Sequence, residues 1–236
     1  MSDLAIIAIR PEPGLAKTLA RARAMGLPVA GHPLFRVAPV AWDAPDPAEF
    51  DGLLLGSGNA VRHAGPCIGR YAVLPVHAVG DDTAAAARAA GLRVATVGEG
   101  GLQSVLDTLA LGGSGGDARL RLLRLAGRAH VPLHPPPAVT LATRVVYAVT
   151  GEALSPALVE TLARGVVVLL HSGEAAAHFS RECDRAGVQR DRIAIAALAS
   201  RVAERASGGW RAIGVAGEPN DAALLALAAR MCKERG

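Results

Sequence analysis

The strongest constraint on the fold is an internal repeat of a strand–turn–helix unit. Leu54-Leu55-Gly56-Ser57-Gly58-Asn59-Ala60-Val61-Arg62-His63 lies over Leu169-Leu170-His171-Ser172-Gly173-Glu174-Ala175-Ala176-Ala177-His178 at an offset of 115. Leu-Leu, Ser-Gly, Ala and His coincide. The next unit follows at an offset of 117, with Thr83 opposite Ser200, Ala86 opposite Ala203 and Gly91 opposite Gly208. A third, Gly98-Glu99 with Leu106, lies over Gly217-Glu218 with Leu225 at 119. An alanine-rich chain gives chance matches. Ordered units whose offset grows slowly, as small loop insertions would make it grow, instead indicate two similar domains.

Around these units the chain alternates short apolar runs, Gly or hydroxyl turns and Ala-rich helical stretches. Strands are expected at 6–9, 53–55, 76–79, 94–97, 120–125, 144–149, 166–170, 193–197 and 212–215. Helices are expected between them, among them 13–25, 82–90, 102–111, 173–186 and 222–233. Short strands alternating with helices specify an α/β protein with mostly parallel sheets. The second repeat copy runs to the end of the sequence and has no first βαβ unit nearby. The segment from Ile6 to about Phe35 can supply it. The expected arrangement is an α/β domain of residues 37–151 inserted into a discontinuous α/β domain of residues 1–36 plus 152–236. Ligands of open parallel sheets sit beyond the carboxyl ends of the strands, so the expected site is a cleft between the two domains.

Composition narrows the function. Of 236 residues 51% are hydrophobic, enough for substantial cores and too many for a disordered chain. Only seven are aromatic (two Trp, two Tyr, three Phe), which argues against modules that stack nucleic-acid bases on exposed rings. The net charge is +4, and 23 of the 25 basic residues are Arg, Lys17 and Lys233 being the exceptions. Guanidinium forks suit carboxylates and phosphates, although an Arg- and Ala-favouring codon usage gives the same count. Cys67, Cys183 and Cys232 are an odd number at wide spacing, without a CxxC pair. Neither a disulfide framework nor a thiolate zinc site is indicated, and a reduced cytoplasmic setting fits best. No basic n-region opens the chain. The longest charge-free stretch, 129–143, holds four prolines and cannot span a membrane.

The turns after the strands are hydroxylic. Ser57 and Asn59 follow one strand, Thr83 and Ser172 follow others, and Ser200 lies just past a fourth. Each marks the start of a helix, where backbone N–H groups favour an anion, although helix capping explains any one of them alone. Arg10 ends the first strand and can clamp a carboxylate. Arg119, Arg121, Arg124 and Arg128 read mainly as a solvated strand face. Tyr147 stands in the apolar run Val145-Val146-Tyr147-Ala148-Val149, next to the expected chain crossing, where its hydroxyl can serve as a weak acid. His130 and His134 flank Pro132 and no carboxylate lies near, so no metal site is expected. Gly56-x-Gly58-x-x-Val61 is a partial dinucleotide fingerprint without its third glycine.

Taken in order, several pieces resemble the uroporphyrinogen-III synthase family. They are Ile9-Arg10-Pro11, Ser57 to Val61, Ala78-Val79-Gly80 leading to Thr83, Val146-Tyr147 and Leu169-Leu170-His171-Ser172. Ile195-Ala196-Ala197-Leu198 and Pro219-Asn220-Asp221 complete the series. The resemblance implies two flavodoxin-like parallel-sheet domains, one inserted into the other and joined by a two-stranded connector. It implies closure of hydroxymethylbilane, a linear tetrapyrrole with acetate and propionate arms, to uroporphyrinogen III, with inversion of ring D and loss of water. It implies no cofactor and no metal. Tyr147 would assist departure of the hydroxyl, while Arg10, Ser57, Asn59, Thr83, Ser172 and Ser200 would hold substrate. A monomer is implied, with neither nucleic acid nor membrane as partner. Hydroxymethylbilane synthase is the candidate for a transient contact that hands the substrate over. Two other readings stand beside this one: a non-catalytic bilobal protein that binds an anionic metabolite, and a nucleotide-dependent enzyme built on Gly56–Val61.

Overall fold

The computed structural model describes residues 4–112 and 119–233. Its contacts fall into two compact units, Met1–Arg36 with Thr150–Gly236, and Val37–Val149. The chain opens with β1 (Ala5–Ala8), α1 (Gly14–Ala24) and β2 (Val29–Gly31), and β3 (Phe35–Pro39) then leads out of the first unit. The second unit runs β4 (Gly52–Leu55), α2 (Gly58–His63), β5 (Pro75–Val79), α3 (Asp81–Ala89), β6 (Arg93–Gly98), α4 (Leu102–Gly112) and β7 (Leu120–Gly127). The long β8 (Val139–Gly151) carries the chain back. α5 (Pro156–Ala163), β9 (Val166–Leu170), α6 (Gly173–Arg185), β10 (Ile193–Ala197), α7 (Ser200–Ala203), β11 (Ala212–Val215) and α8 (Asp221–Lys233) complete the first unit. No described helix is long and apolar enough to cross a membrane.

The first unit's sheet has the order β2-β1-β9-β10-β11, all parallel. Counted along that unit's own strands, this is the flavodoxin order 2-1-3-4-5. The second sheet reads β8-β7-β4-β5-β6, again parallel, with β3 at the edge beyond β8. Val40 N–H bonds the Val146 carbonyl and Glu152 N–H the Leu34 carbonyl, so β3 and β8 run in opposite directions. The two strand orders correspond, β4-β5-β6 standing for β9-β10-β11 and β7-β8 for β1-β2. In the second unit the flanking pair follows the repeat instead of preceding it. That unit therefore keeps the flavodoxin strand positions in a circularly permuted chain order.

The strand registers also correct the repeat. Leu54 pairs with His77 and Leu169 with Ala196, so His77 corresponds to Ala196 at an offset of 119. Ser200 thus corresponds to Asp81 and not to Thr83.

The strands are apolar along their length because both faces are covered, as parallel sheets require. In β9, Val166, Val168 and Leu170 join Leu158, Phe179 and Val202 on one face, while Val167 and Leu169 join Leu15, Leu224 and Ala228 on the other. In the second unit Leu53, Leu55, Leu123 and Leu125 meet Val61, Ala84 and Ala87, and Leu54 and Leu122 meet Val105 and Leu106. One helix is missing from this scheme. β1 and β2 are joined through α1, whereas β7 and β8 are joined through residues 128–138 without a helix. Pro132 and Pro135–Pro137 remove backbone donors and clash with the preceding turn. Leu133 supplies the apolar contact instead, lying against the Leu54–Leu122 face. The βαβ unit expected from Ile6 to about Phe35 closes with β2. β3 and β8 are the paired strands of the connector that the resemblance implies, and β8 starts at Val139 rather than at 144.

Candidate functional site

Tyr147 lines a pocket of about 160 Å³ inside the second unit. The pocket lies where ligands of open parallel sheets lie, at the carboxyl ends of β4 and β7. Ser57 lines it from the turn after β4, Arg124 and Gly127 from the end of β7, and His130 from the segment beyond. A shift of register between Ala126 and Gly127 places Gly127 opposite Tyr147. Gly127 must be glycine for that approach: a Cβ there would stand 2.6 Å from Tyr147 Cζ and 2.9 Å from its hydroxyl. Gly56 leaves similar room for Leu102, whose Cδ1 would be 2.6 Å from a Cβ at that position. The Tyr147 ring is half-buried and tilted against the His63 ring at 6.2 Å. His130 Nδ1 is 2.8 Å from the Gly127 carbonyl. A carbonyl only accepts, so Nδ1 carries the hydrogen of this bond.

Arg124 is the residue the sequence reading missed. It was expected with Arg119, Arg121 and Arg128 on a solvated strand face. Arg119, Arg121 and Arg128 are exposed, and Arg121 pairs with Asp51 at 3.0 Å. Arg124 is 4% exposed, and its Nε has no hydrogen-bond partner. Burial pulls its pKa down, against a smaller opposing effect of Tyr147, yet a guanidinium remains charged at neutral pH. The signal lay in strand periodicity: Leu122 and Arg124 share one face of β7, and that face is covered.

A second polar cluster belongs to the first unit. Arg10 Nη1 lies 3.3 Å from Asp221 Oδ1 and 3.3 Å from Thr18 Oγ1. Thr18 donates its hydroxyl to the other Asp221 oxygen at 2.9 Å, and His171 Nε2 bonds Asp221 Oδ1 at 3.1 Å. The carboxylate that Arg10 was expected to take from a ligand is thus met first by Asp221, 211 positions along the chain. The His171 bond, the Thr18 hydroxyl and the neighbouring charges outweigh burial and hold the Asp221 pKa near 2, below its ordinary 3.8. Burial pushes His171 down as well.

This cluster gives a pH signature. The folded pKa of Asp221 is depressed, so its stabilisation is complete above pH 3.8 and is lost as pH falls towards 2. At about 1.4 kcal/mol per unit the carboxylate contributes about 2 kcal/mol at neutral pH. Denaturant unfolding of the wild type and Asp221→Asn should show that gap at pH 5 and show it closing by pH 2. A constant gap would mean that the charge of Asp221 does not contribute.

The remaining expected residues sit at helix starts. Ser57 caps α2, its hydroxyl accepting from Asn59 N–H at 3.2 Å, and Asn59 Oδ1 accepts from Arg62. Ser172 caps α6 through Ala175 N–H at 3.1 Å. Thr83 is buried in α3 at 5% exposure. Ser200 is exposed and is the first residue of α7, with Ala199 rather than Ser200 at the cap. Asn220 caps α8 through Ala223 N–H. The partial dinucleotide fingerprint has a packing explanation. A Cβ on Gly58 would come within 3.0 Å of Ala86, so this glycine lets α2 approach α3. Among the described residues no three His, Cys, Asp or Glu side chains converge as a metal site.

Comparison with known proteins agrees with the ordered sequence pieces. The family model described as Uroporphyrinogen-III synthase HemD matches residues 16–226. No curated protein matches significantly. Among solved structures, uroporphyrinogen-III synthetase from Helicobacter pylori 26695 matches at a TM-score of 0.65 with 14% identity, over 97% of this chain and 99% of that one. The wild-type uroporphyrinogen III synthase of the extremely thermophilic bacterium Thermus thermophilus matches at 0.38 with 17% identity, over 97% of each chain. At such identities the Helicobacter pylori match speaks for the shared fold.

Proposed function

The chain belongs to the uroporphyrinogen-III synthase family, and we propose that Tyr147 is the acid of its ring-closing reaction and that the reaction is that of a cofactor-free hydro-lyase. The family's reaction closes hydroxymethylbilane to uroporphyrinogen III, a step of tetrapyrrole biosynthesis. The observation that carries the assignment is the Tyr147 pocket, where a phenol, a hydroxyl and a buried guanidinium line one small concavity.

Loss of the substrate hydroxyl needs two electronic movements. The adjacent pyrrole nitrogen pushes its lone pair towards the departing carbon, forming an azafulvene cation. The hydroxyl takes the phenolic proton of Tyr147 and leaves as water. The substituted α-carbon of ring D attacks the cation to give a spiro intermediate. The bond from that carbon to the methylene carried by ring C then breaks to a second azafulvene cation. The free α-carbon of ring D closes on that methylene, inverting the ring, and loses its proton, which restores the Tyr147 phenol. Simple head-to-tail closure competes, so the protein must hold the chain curled for the spiro route. Ser57, Asn59, Thr83, Ser172, Ser200 and Arg10 are proposed as contacts to the carboxylate arms. Helix N-termini and guanidinium groups favour such anions. Arg10 would share its charge with Asp221 in doing so. The chain is proposed to act in the cytoplasm as a monomer, taking its substrate from hydroxymethylbilane synthase and binding neither nucleic acid nor membrane.

The test is a coupled assay in which hydroxymethylbilane is generated in situ and the oxidised porphyrin isomers are separated. The expected product is predominantly type III. Type I product from folded protein would overturn the catalytic reading and leave a bilobal anion-binding protein as the alternative.

A further inference from the structure

Among the described residues Arg124 has no counter-charge. The residue is 4% exposed, and its Nε is buried without a hydrogen-bond partner. None of the residues lining its pocket is acidic. A buried cation left unpaired loses its hydration and gains nothing in return, which is why such groups are rare. Arg121, three residues earlier on the same strand, answers the same need with Asp51. What distinguishes Arg124 is the open concavity in front of it.

We propose that Arg124 receives one carboxylate arm of the linear tetrapyrrole in the Tyr147 pocket and is a positioning residue for ring closure. The inference rests on the family's reaction and adds a residue to its substrate site. The pocket's size supports a single arm. About 160 Å³ holds about five waters at roughly 30 Å³ each, which suits an acetate or propionate group and is too small for a tetrapyrrole. The chemistry supports a carboxylate. A guanidinium offers Nε–H and a terminal N–H as parallel donors, which match the two oxygens of a carboxylate. An arm held there fixes a pyrrole beside Tyr147, which also lines the pocket. The other explanation is that Arg124 merely packs its aliphatic stem against the Leu54–Leu122 face.

The two explanations are separated by Arg124→Met and Arg124→Lys. Three quantities are measured for each: the thermal midpoint, KM and kcat with hydroxymethylbilane, and the Kd for uroporphyrin III by fluorescence quenching. Arg124→Met removes an uncompensated charge and keeps the stem, so its midpoint should equal or exceed that of the wild type. Its KM and its uroporphyrin Kd should each rise at least tenfold, with kcat falling less than threefold. Arg124→Lys keeps the charge without the fork and should fall between the two. KM and Kd within twofold of the wild type in folded Arg124→Met would overturn the proposal. If the wild type itself forms no type III product, the reaction reading fails. The uroporphyrin titration then decides Arg124 by itself, a tenfold gap supporting the carboxylate subsite and equal affinities refuting it.

Discussion

Replacing Tyr147 with Phe should lower kcat by about 10²- to 10⁴-fold, the usual contribution of a positioned acid, while leaving substrate affinity and fold in place. The ring would stay where it is. Its apolar body packs against the cluster containing Leu53, Leu55 and Val146, and its face meets His63 at 6.2 Å. Gly127 leaves the space that the ring occupies, and a Phe ring fills it equally well. What disappears is the only proton the side chain can give. Without it the hydroxyl must leave as hydroxide or take its proton from solvent. The measurement is kcat and KM with freshly generated hydroxymethylbilane, together with the uroporphyrin III Kd and the thermal midpoint. A kcat within threefold of the wild type would remove Tyr147 from the chemistry. A rise in KM with kcat unchanged would make it a contact to the substrate instead.

Much of this architecture was legible in the sequence because the repeat and the hydrophobic runs obey local rules. The strands of the repeat are continuous apolar runs with both faces covered, and Gly91 ends its helix as glycines do at helix ends. Chain order was less legible. Nothing local tells β7 and β8 to lie beside β4 in the positions that β1 and β2 take beside β9; hydrogen-bonded register alone reveals the permutation. The bounds of β3 were hard to read because Phe35-Arg36-Val37-Ala38-Pro39 is short, ends in proline and pairs with β8, a strand far along the chain.

The site was legible by residue type and obscure by partnership. Hydroxyls at helix starts stand out in a sequence, yet Ser57 and Ser172 bond their own helices first. Ser200 was misplaced because an offset drawn through loops hides the strand register. Arg10 was seen without Asp221, since a partner 211 positions away leaves no trace in spacing. Arg124 was assigned to solvent because three neighbouring arginines are there. Its burial follows from the cover over one face of β7, a tertiary fact.

The largest loss of stability should come from Phe179→Ala, at about 3–5 kcal/mol. Phe179 is fully buried beside Leu158, Val168 and Ile195. Its ring stacks on Trp210 with centroids 5.4 Å apart and planes 12° from parallel. Trp210 donates its indole N–H to the Ala206 carbonyl at 2.7 Å, and that carbonyl also accepts from Ser180 at 2.6 Å. The Arg190 guanidinium lies 4.8 Å over the same indole and bonds the Ser180 carbonyl at 2.8 Å. A cavity under Trp210 cannot close unless the indole tips, which would break the bond to Ala206. The cavity should therefore stay largely open, placing the cost towards the upper end of that range. At roughly 4 °C per kcal/mol for a unit of this size, the first unit's midpoint should fall by about 20 °C. The two units have separate cores, so the loss should fall on the first. Calorimetry of the variant should resolve an early transition from a later one near the wild-type temperature. A fall below about 1.5 kcal/mol would mean that Trp210 collapses into the space, the outcome expected where a site can relax. Tyr147 and Arg124 lie on the other sheet, so uroporphyrin III binding at that pocket, below the first transition, should be unchanged.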